Sequence, residues 1–492
     1  MKRPELSPPI YGIETEYTCM LTLPGNKTCE IVGACHSSDV NLKLYEEPEL
    51  CSMIDIDQDY VNEILKDKLD IIRGKWGMLS NGGRLYFDPS GIEYATAETS
   101  SAEDAVMRSF EGDIIVAKLL RELQAREKVE DFQINRRIVD HNRTSRGIHL
   151  NTVTSLPKLS REDENNEYYS YLAALNVAKG AVFGSGGLLI NEFGETEFHH
   201  SPRLSVTDSK QSDYNKYTKR PLVRYPFKDD FGKLRRIETV TGDALNFAWP
   251  IKASLVATNA VVGLLELRQK SNLPKIINKR PVGSALDVGL NGHSGVIYFE
   301  HKDKPHHEKS LDVMKRIGEV VLSVDDKLGY LDDESRKTMD EIINITDKMG
   351  NDPFSVIDQV ESMARLTSMK RKIDKNEISL DSEQMCRFDY AWDLVGGGIA
   401  ENLRKKGLVG WLGFGRKPSI SQIKKRISTP PPNTRAKIRS DLIGVGVHNQ
   451  SASWYKITTE QGKSEELHPL ATEVTISLDT FSNNQKYSTD EL

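Results

Sequence analysis

The chain has 492 residues, with 66 basic and 72 acidic side chains and a formal net charge of −6. The 38% hydrophobic and 28% charged residues exclude a disordered or fibrous chain and allow a sizeable buried core. The length fits two to four domains, or one large unit with a smaller appendage. The most apolar stretch, Ala253–Leu265, is interrupted by Thr258 and Asn259 and is shorter than the roughly 20 residues of a membrane span. We therefore expect no membrane partner.

The amino terminus and the cysteines both indicate a reducing compartment. Two early cations are followed by an acidic residue and prolines, where a secretory signal has an apolar segment, so we expect a cytoplasmic protein. The five cysteines are an odd number without a C-x-x-C pair, which favours reduced thiols over a disulfide framework. The alternative is a zinc site, because five possible ligands lie close together in the sequence. These ligands are Cys19, Cys29, Cys35, Cys51 and His36.

The first half of the chain is patterned mainly as strands. Apolar residues alternate with Glu14 and Glu16 in the period of a strand, which puts both carboxylates on one face. The segment Thr22–Leu50 is irregular in pattern, and a helical pattern follows over residues 61–72. The predicted strands are Ile10–Met20, Gly83–Asp88, Ile92–Glu98, Phe132–Val139, Arg146–Thr154, Gly187–Asn191, Leu204–Thr207 and Arg236–Thr241.

Helices dominate the predicted structure after the strands. Ser100 and Glu103 form a capping box, and periodic apolar residues extend this helix to about Lys128. The stretch Asp243–Leu408 is mainly helical in pattern. Strands followed by helices indicate an α+β fold, in which helices back a largely antiparallel sheet. The predicted helices of this stretch are Ala253–Arg268, Leu311–Leu328, Asp333–Met349, Phe354–Lys372 and Ser382–Lys405.

The composition changes after residues 410–418. Eight cations and no acidic residue occur between Gly415 and Ser440, which is either a solvated basic loop or a binding surface whose backbone Pro430–Pro432 fixes. The stretch lacks interleaved aromatic residues in a chain of net negative charge, so we expect no nucleic-acid partner. We predict a catalytic domain over residues 1–412, a small carboxy-terminal domain over 413–482 and a flexible tail over 483–492.

The chemistry of the chain is carried by carboxylates. No nucleotide-binding loop of the GxxxxGKS type, no GxGxxG after a strand and no GxSxG turn is present. Carboxylates gathered on a sheet suit Mg²⁺, which commonly enters enzymes together with nucleotide phosphates. We therefore interpret the cluster as a metal–nucleotide site with a nearby imidazole. Its members are Glu14, Glu16, Asp88, Glu93, Glu98 and His149.

Four motifs occur in an order that resembles one known family. The chain resembles the family that contains the Pup–protein ligase and the Pup deamidase and depupylase, which is itself similar to glutamine synthetase and other carboxylate-amine ligases. The resemblance implies a large domain whose curved antiparallel sheet holds ATP, followed by a small carboxy-terminal domain. The motifs are GIETEY at 12–17, LSNGGRLYFD at 79–88 with EYATAE at 93–98, RRIETVTGD at 235–243 and PPPNTRAKIRSDLI at 430–443.

The same resemblance implies roles for particular residues. Glu14, Tyr86 and Glu93 are expected at the Mg²⁺–ATP site, and Asp88 is expected to be the catalytic aspartate. Glu238 stands where the family has a metal-binding histidine, so the charge of the site differs from the family's pattern. The remaining implied residues are His149 beside the metal and Arg203, Arg435 and Arg439 at the nucleotide.

The reaction implied by the resemblance is ligation. ATP would phosphorylate the side-chain carboxylate of the last glutamate of a Pup-like modifier, and a lysine of a protein substrate would then form an isopeptide bond. The string EYATAE is closer to the ligase form, whereas the long segment between Glu14 and Tyr86 is similar to a loop of the depupylase. We predict a monomeric ligase. The alternatives are a hydrolase of the same bond, a ligase for another peptide or small molecule, and a non-catalytic binding relative.

Overall fold

The computed structural model of the chain describes residues 9–33, 40–44, 78–126, 129–156, 167–269, 281–444 and 456–471, with short gaps inside these ranges, and a few isolated positions. Contacts divide the chain into two compact units. Unit 1 comprises residues 1–17 and 134–417, and unit 2 comprises residues 18–133 and 418–492. The predicted limits at residues 412 and 482 stay predictions, and the predicted tail lies outside the described residues.

The fold is α+β, as predicted, with mainly antiparallel strand pairs. The strands are β1 Tyr11–Leu23, β2 Lys27–Gly33, β3 Val40–Leu44, β4 Arg84–Asp88, β5 Gly91–Ala95, β6 Asp131–Asn135, β7 Ile148–Thr154, β8 Gly187–Ile190, β9 Thr196–His199, β10 Ser209–Asp213, β11 Pro221–Tyr225, β12 Lys228–Phe231, β13 Leu234–Gly242, β14 Val296–His301, β15 Lys304–Lys309, β16 Lys456–Thr458 and β17 Ser464–Glu466.

Helices are concentrated in unit 1 after β13. The described helices are α1 Ala102–Arg126, α2 Glu167–Val182, α3 Ala248–Glu266, α4 Pro281–Asn291, α5 Ser310–Leu328, α6 Asp333–Asn351, α7 Glu361–Asn376, α8 Glu383–Trp392, α9 Ile399–Lys405, α10 Ile420–Arg426 and α11 Arg435–Gly444.

Strand pairing in unit 1 places β7 between β1 and β13, and β12 continues the sheet beyond β13. The long helix α3 belongs to the core of this unit, since most of its side chains are buried. Among the described helices, α3 alone is long and apolar enough to cross a membrane, but 94% of its apolar window is buried inside the protein. Its composition is therefore that of a core helix.

Several segments differ from the predictions for reasons of local geometry. Thr22–Leu50, predicted as irregular, contains β2 and β3, because a turn with a left-handed Gly25 (φ +83°) reverses the chain after β1. Leu204–Val206 is a short 3₁₀ helix rather than a strand, since the Val206 and Thr207 amides bond back by three residues. The start of α1 is capped by Ser101, which accepts from the Asp104 amide, and not by Ser100.

The helical half of unit 1 is also more divided than predicted. The predicted helix Phe354–Lys372 is a 3₁₀ turn, Pro353–Val356, followed by α7. The predicted helix Ser382–Lys405 is interrupted between α8 and α9, where Gly396 adopts φ +89°. The β14–β15 hairpin lies within the stretch predicted as mainly helical. The helical pattern over residues 61–72 lies outside the described residues, as do Cys35, His36 and Cys51. Neither Cys19 nor Cys386 is in a disulfide.

A buried network of charges connects α7 and α8. Arg365, which is 1% exposed, donates through Nε to Asp389 at 2.8 Å and through Nη1 to Asp393 at 3.0 Å. Arg137 donates to the same Asp389.

On α7, Glu361 accepts hydrogen bonds from the backbone amide of Asn246 at 2.6 Å and from the Trp392 indole at 3.0 Å. Buried charges are stable only when they are paired in this way, so the network fixes the helices around the start of α3. Glu361 also accepts a hydrogen bond from the backbone amide of Phe247 at 3.0 Å.

Asp389→Ala is expected to destabilise the protein by about 3–5 kcal/mol, because two arginines would remain buried without their shared carboxylate. Urea unfolding followed by tryptophan fluorescence measures this change. The matched control is Glu383→Ala on the same helix, whose ion pair with Arg387 has both side chains 77% exposed. The control is expected to cost less than about 0.5 kcal/mol. Equal losses in both variants would contradict the importance of the buried network.

Candidate active site

Three adjacent strands of unit 1 bring two carboxylates and an imidazole together. In the antiparallel register, Glu14 of β1 lies directly opposite His149 of β7. Glu238 of β13 lies opposite Asn151, which is two residues beyond His149 and so on the same face of β7. Directly opposed residues on neighbouring strands have their side chains in contact range. The sheet register therefore assembles this group from residues that are far apart in sequence.

Charged contacts connect every member of the group. His149 Nδ1 lies 3.0 Å from Glu14 Oε2 and 2.9 Å from Glu238 Oε1. Arg236, also on β13, donates through Nη1 to Glu14 Oε1 at 2.7 Å. Arg236 Nη2 lies 4.0 Å from Glu238 Oε2. We call these four residues the carboxylate–histidine group.

Burial and neighbouring charges shift the pKa values of this group in opposite directions. Burial alone would lower the pKa of His149, but the charge of Glu238 and the hydrogen bonds to both carboxylates raise it well above its usual 6.5. Burial would raise the pKa of Glu238, but His149 holds it well below its usual 4.5. The pKa of Glu14 is likewise lowered, by Arg236 and His149 against the effect of burial. Two anions and two cations thus make the group neutral as a whole at pH 7.

Gly147 gives the His149 ring its space. A Cβ at residue 147 would lie 2.4 Å from His149 Nε2 and 2.7 Å from Glu16 Oε1, so a side chain there would displace one or both of these groups. The Gly147 amide also donates to Glu16 Oε2 at 2.7 Å. Glu16, the second carboxylate of the GIETEY motif, therefore fixes the backbone just before β7.

The carboxylate–histidine group fits a divalent cation by its donor chemistry. Glu14 and Glu238 offer hard carboxylate oxygens, the ligands that Mg²⁺ prefers. Glu238 Oε2 is buried and accepts no hydrogen bond from any residue that the structure describes. A buried carboxylate oxygen without a donor is costly unless it meets a cation. Arg236, at 4.0 Å, meets this need only in part.

Arg203 is held against the same strand. Its Nε donates to the carbonyl oxygen of Val240 at 2.9 Å, two residues beyond Glu238, and its Nη1 donates to Ser145 Oγ at 2.9 Å. The Arg203 backbone amide donates to Asp243 at 2.9 Å. Burial lowers the pKa of Arg203 to about 10, so the side chain stays cationic at neutral pH. Its expected contact with nucleotide phosphates stays a prediction.

In unit 2, β4 and β5 form a hairpin that carries three further predicted site residues. Tyr86 and Glu93 are directly opposite each other in its register, and Asp88 is opposite Gly91 at its end. Glu93 is buried, and the Arg84 guanidinium lies 4.0 Å from the centre of the Tyr86 ring. The hairpin register thus places the predicted metal ligands Tyr86 and Glu93 side by side.

The predicted nucleotide residues Arg435 and Arg439 lie in unit 2, where both bind Glu98. Arg435 Nε donates to Glu98 Oε1 at 2.8 Å, and Arg439 donates to both carboxylate oxygens. Thr434 Oγ1 donates to the Glu98 carbonyl oxygen at 2.8 Å. We call this arrangement the Glu98 clamp. It joins the end of the EYATAE motif to the TRAKIR motif, and the role of these arginines at a nucleotide stays a prediction.

The turn of the SNGG sequence packs on the same helix, α11. Gly82 has φ +81°, and a Cβ there would lie 2.7 Å from the Ala436 side chain, so only glycine fits. Arg439 donates to the Gly82 carbonyl oxygen at 2.8 Å, and Ser440 donates to the Ser80 carbonyl oxygen. Two of the four sequence motifs, LSNGGRLYFD with EYATAE and PPPNTRAKIRSDLI, therefore meet inside unit 2.

Sequence reasoning missed Arg236 and Gly147 as site residues. Arg236 stands inside the motif RRIETVTGD and Gly147 inside the predicted strand Arg146–Thr154, so the signal was an arginine or glycine close to a candidate ligand. Four cations of the eight-cation stretch pair with carboxylates of unit 2. These pairs are Arg426 with Asp104, Arg435 and Arg439 with Glu98, and Lys437 with Asp441.

Comparison with known proteins defines the class to which this arrangement belongs. The family model described as Pup-ligase protein matches residues 9–458, and the chain belongs to this family. The Pup–protein ligase of Gordonia bronchialis is 23% identical over 406 residues, which cover 75% of this chain and 81% of that protein. The depupylase of Acidothermus cellulolyticus is 22% identical over 391 residues, which cover 77% and 74% of the two chains.

Solved structures agree on the fold. The chain is similar to the ligase in the complex between the prokaryotic ubiquitin-like protein Pup and its ligase PafA, with a TM-score of 0.73 at 17% identity over 96% of this chain and 90% of that one. It is also similar to the Pup ligase PafA in complex with ADP, with a TM-score of 0.68 at 17% identity over 86% and 92% of the two chains. At this identity the similarity establishes the fold alone.

Glu98→Gln is expected to destabilise the protein by about 3 kcal/mol at pH 7. Burial raises the pKa of Glu98, but Arg439 and Arg435 together hold it at about 2, below its usual 4.5. Because the folded-state pKa is depressed, this stabilisation is complete above pH 4.5 and is lost as the pH falls towards 2. Urea unfolding from pH 7 to pH 3 should show the difference between wild type and variant shrinking.

The control for the Glu98 clamp is Asp441→Asn on α11, whose pair with Lys437 has side chains 41% and 43% exposed. This substitution is expected to change the unfolding free energy by less than about 0.5 kcal/mol. A difference between wild type and Glu98→Gln that does not depend on pH would show that ion pairing in the clamp is not the source of stability.

Proposed function

We propose that this protein is an ATP-dependent ligase that joins the side-chain carboxylate of the terminal glutamate of a Pup-like modifier to a substrate lysine. The observation that carries the proposal is the carboxylate–histidine group, Glu14, His149, Arg236 and Glu238, in a member of the Pup-ligase protein family. Relatives named Pup–protein ligase and the similarity to a ligase solved with ADP support the use of ATP.

In the proposed reaction the modifier carboxylate attacks the terminal phosphorus of ATP, giving an acyl phosphate and ADP. The lysine amine then attacks the acyl carbon and releases phosphate, forming the isopeptide bond. Mg²⁺, when bound, would offset negative charge on the transferring phosphoryl group. Glu14 and Glu238 would hold it in unit 1, and Arg236 and His149 keep both carboxylates ionised and oriented. Tyr86 and Glu93 are the further ligands implied by the family resemblance.

The lysine must lose a proton before it attacks, because its usual pKa is about 10.4. We assign this role to Asp88, at the end of β4, as the general base. The same carboxylate would activate water in a hydrolase, so one base can support opposite net reactions. Partners of this reaction are the modifier and a lysine-bearing protein, and we propose a monomeric enzyme that acts in the cytoplasm.

Hydrolysis of the same bond is the second candidate function. Relatives named depupylase and Pup deamidase/depupylase match this chain about as well as those named ligase. The segment between Glu14 and Tyr86, in which a loop similar to that of the depupylase was expected, contains the paired strands β2 and β3 in its described part. A ligase for another carboxylate or amine is the third candidate, because Glu238 departs from the family's pattern.

Incubation of the protein with Mg²⁺-ATP, a Pup-like polypeptide ending in glutamate and a lysine-bearing protein is expected to give a conjugate and one ADP per bond. Intact-mass analysis and ADP quantification measure both products. Asp88→Asn is expected to lower the rate of conjugation by about 10²–10⁴-fold, as loss of a general base does. Release of modifier from a preformed conjugate, or loss of ammonia from a glutamine-ended modifier, would instead assign the hydrolase function.

Glu238→Gln is expected to raise the Mg²⁺ concentration for half-maximal ADP release by about tenfold or more, because it removes one anionic ligand. Mn²⁺ titration followed by electron paramagnetic resonance gives a direct measure of cation binding. The control is Glu319→Gln, an acidic residue of the same unit with a side chain 56% exposed, which is expected to behave as wild type. Unchanged cation binding in Glu238→Gln would remove Glu238 from the metal site.

A further inference from the structure

A short hairpin of unit 1 displays an aromatic side chain to solvent. Strands β8 and β9 pair from Gly187 with His199 to Ile190 with Thr196, and residues 191–195 form the tip. Phe193, at this tip, is 79% exposed, the highest value among the large hydrophobic residues that the structure describes. Exposure of a whole phenyl ring costs solvation free energy, and a single mobile side chain would reduce this cost by folding back onto the surface.

Hydrogen bonds from one residue make the tip rigid. Asn191 Oδ1 accepts from the Phe193 amide at 3.0 Å and from the Glu195 amide at 2.9 Å. The Asn191 backbone bonds to Gly194 and Glu195, and Gly194 adopts φ +82°. The Asn191–Glu195 backbone pair closes the hairpin with a three-residue loop, residues 192–194, and the Asn191 side chain fixes the conformation of this loop. The backbone holds the ring away from the body of the protein.

Carboxylates surround the exposed ring. Residues 191–197 contain Glu192, Glu195 and Glu197 and no lysine or arginine. Glu192 and Glu195 are exposed, and the Glu197 side chain is 39% exposed. An aromatic anchor with an acidic border matches an apolar pocket bordered by cations, and it repels nucleic acid and anionic membranes.

The base of the hairpin is close in sequence to Arg203, which contacts strand β13 of the candidate active site. β9 ends at His199, four residues before Arg203, which bonds to Val240 of β13. His199 Nδ1 is also 2.7 Å from Ser205 Oγ. From this base, four extended residues reach roughly 13 Å outward. The tip therefore extends from the segment that contributes Arg203.

We propose that this hairpin is a docking element for the protein substrate, in which Phe193 inserts into an apolar pocket bordered by lysine or arginine side chains. The inference rests on the proposed function in one respect, which is that the docked protein is the lysine-bearing acceptor. An acceptor presents at least one cationic lysine at the reaction site, so an acidic docking element attracts the appropriate surface. A small amine would not reach the tip and would gain nothing from it.

The test compares acceptors of different size. Phe193→Ala is expected to lower kcat/KM for conjugation of a basic folded protein, cytochrome c, by about tenfold, as loss of an aromatic anchor does. The rate with Nα-acetyl-lysine as acceptor is expected to stay at the wild-type value. Phe354→Ala is the matched control, because Phe354 is a second exposed phenylalanine of unit 1, at 43%. Glu192→Lys is expected to lower kcat/KM for conjugation of cytochrome c and to make this kcat/KM less dependent on salt concentration.

Binding measurements separate this inference from the proposed function. Biolayer interferometry with immobilised cytochrome c should show weaker binding of Phe193→Ala than of wild type or Phe354→Ala, whether or not conjugation occurs. If wild type binds but forms no conjugate with any acceptor, the ligase proposal fails while the docking surface stands. Equal binding of all three proteins, or an equal loss of rate with Nα-acetyl-lysine, would overturn the docking proposal. Self-association that Phe193→Ala abolishes would also overturn it, in favour of a second copy as the occupant.

Discussion

The contact of His149 with Glu14 and Glu238 is the interaction on which the organisation of unit 1 depends. It connects three strands at one level of the sheet, and each carboxylate is stable in its buried position because a cation lies within 3.0 Å. Removing two carboxylates from water without such partners would cost several kcal/mol each. The same constraint recurs where Arg365 binds Asp389 and where Glu98 binds two arginines. Pairing of buried charge therefore fixes the sheet, the helices and the carboxy-terminal segment alike.

This constraint changes the interpretation of the basic stretch near the carboxy terminus. Its cations form a positive surface only if they face solvent, but Arg435 and Arg439 are buried, and both bind Glu98. Their strong pairing makes this stretch a structural part of unit 2. The hairpin of β8 and β9 in unit 1 carries the exposed carboxylates Glu192 and Glu195 beside Phe193.

Neutrality of the carboxylate–histidine group also bears on the direction of the reaction. A group with two anions and two cations has no excess negative charge, so a divalent cation would bind there most strongly together with the phosphates of a nucleotide. A phosphoryl-transfer site needs that combination during each turnover, which agrees with ligation. Hydrolysis requires only water and a base, and relatives of either name match this chain to a similar extent, so chemistry at the site separates the two functions.

The sequence by itself determined the α+β class, the strand with Glu14 and Glu16 and the family, because strand periodicity and ordered motifs are local properties. It did not determine which residues meet. The pairing of His149 with Glu238 depends on the register of β7 and β13, although the two residues are almost 90 positions apart in the sequence. The role of Gly147 depends on the His149 ring, which occupies the space that a side chain at residue 147 would need. The packing of the whole chain sets the strand registers and the buried charge pairs, so a local sequence pattern does not predict them.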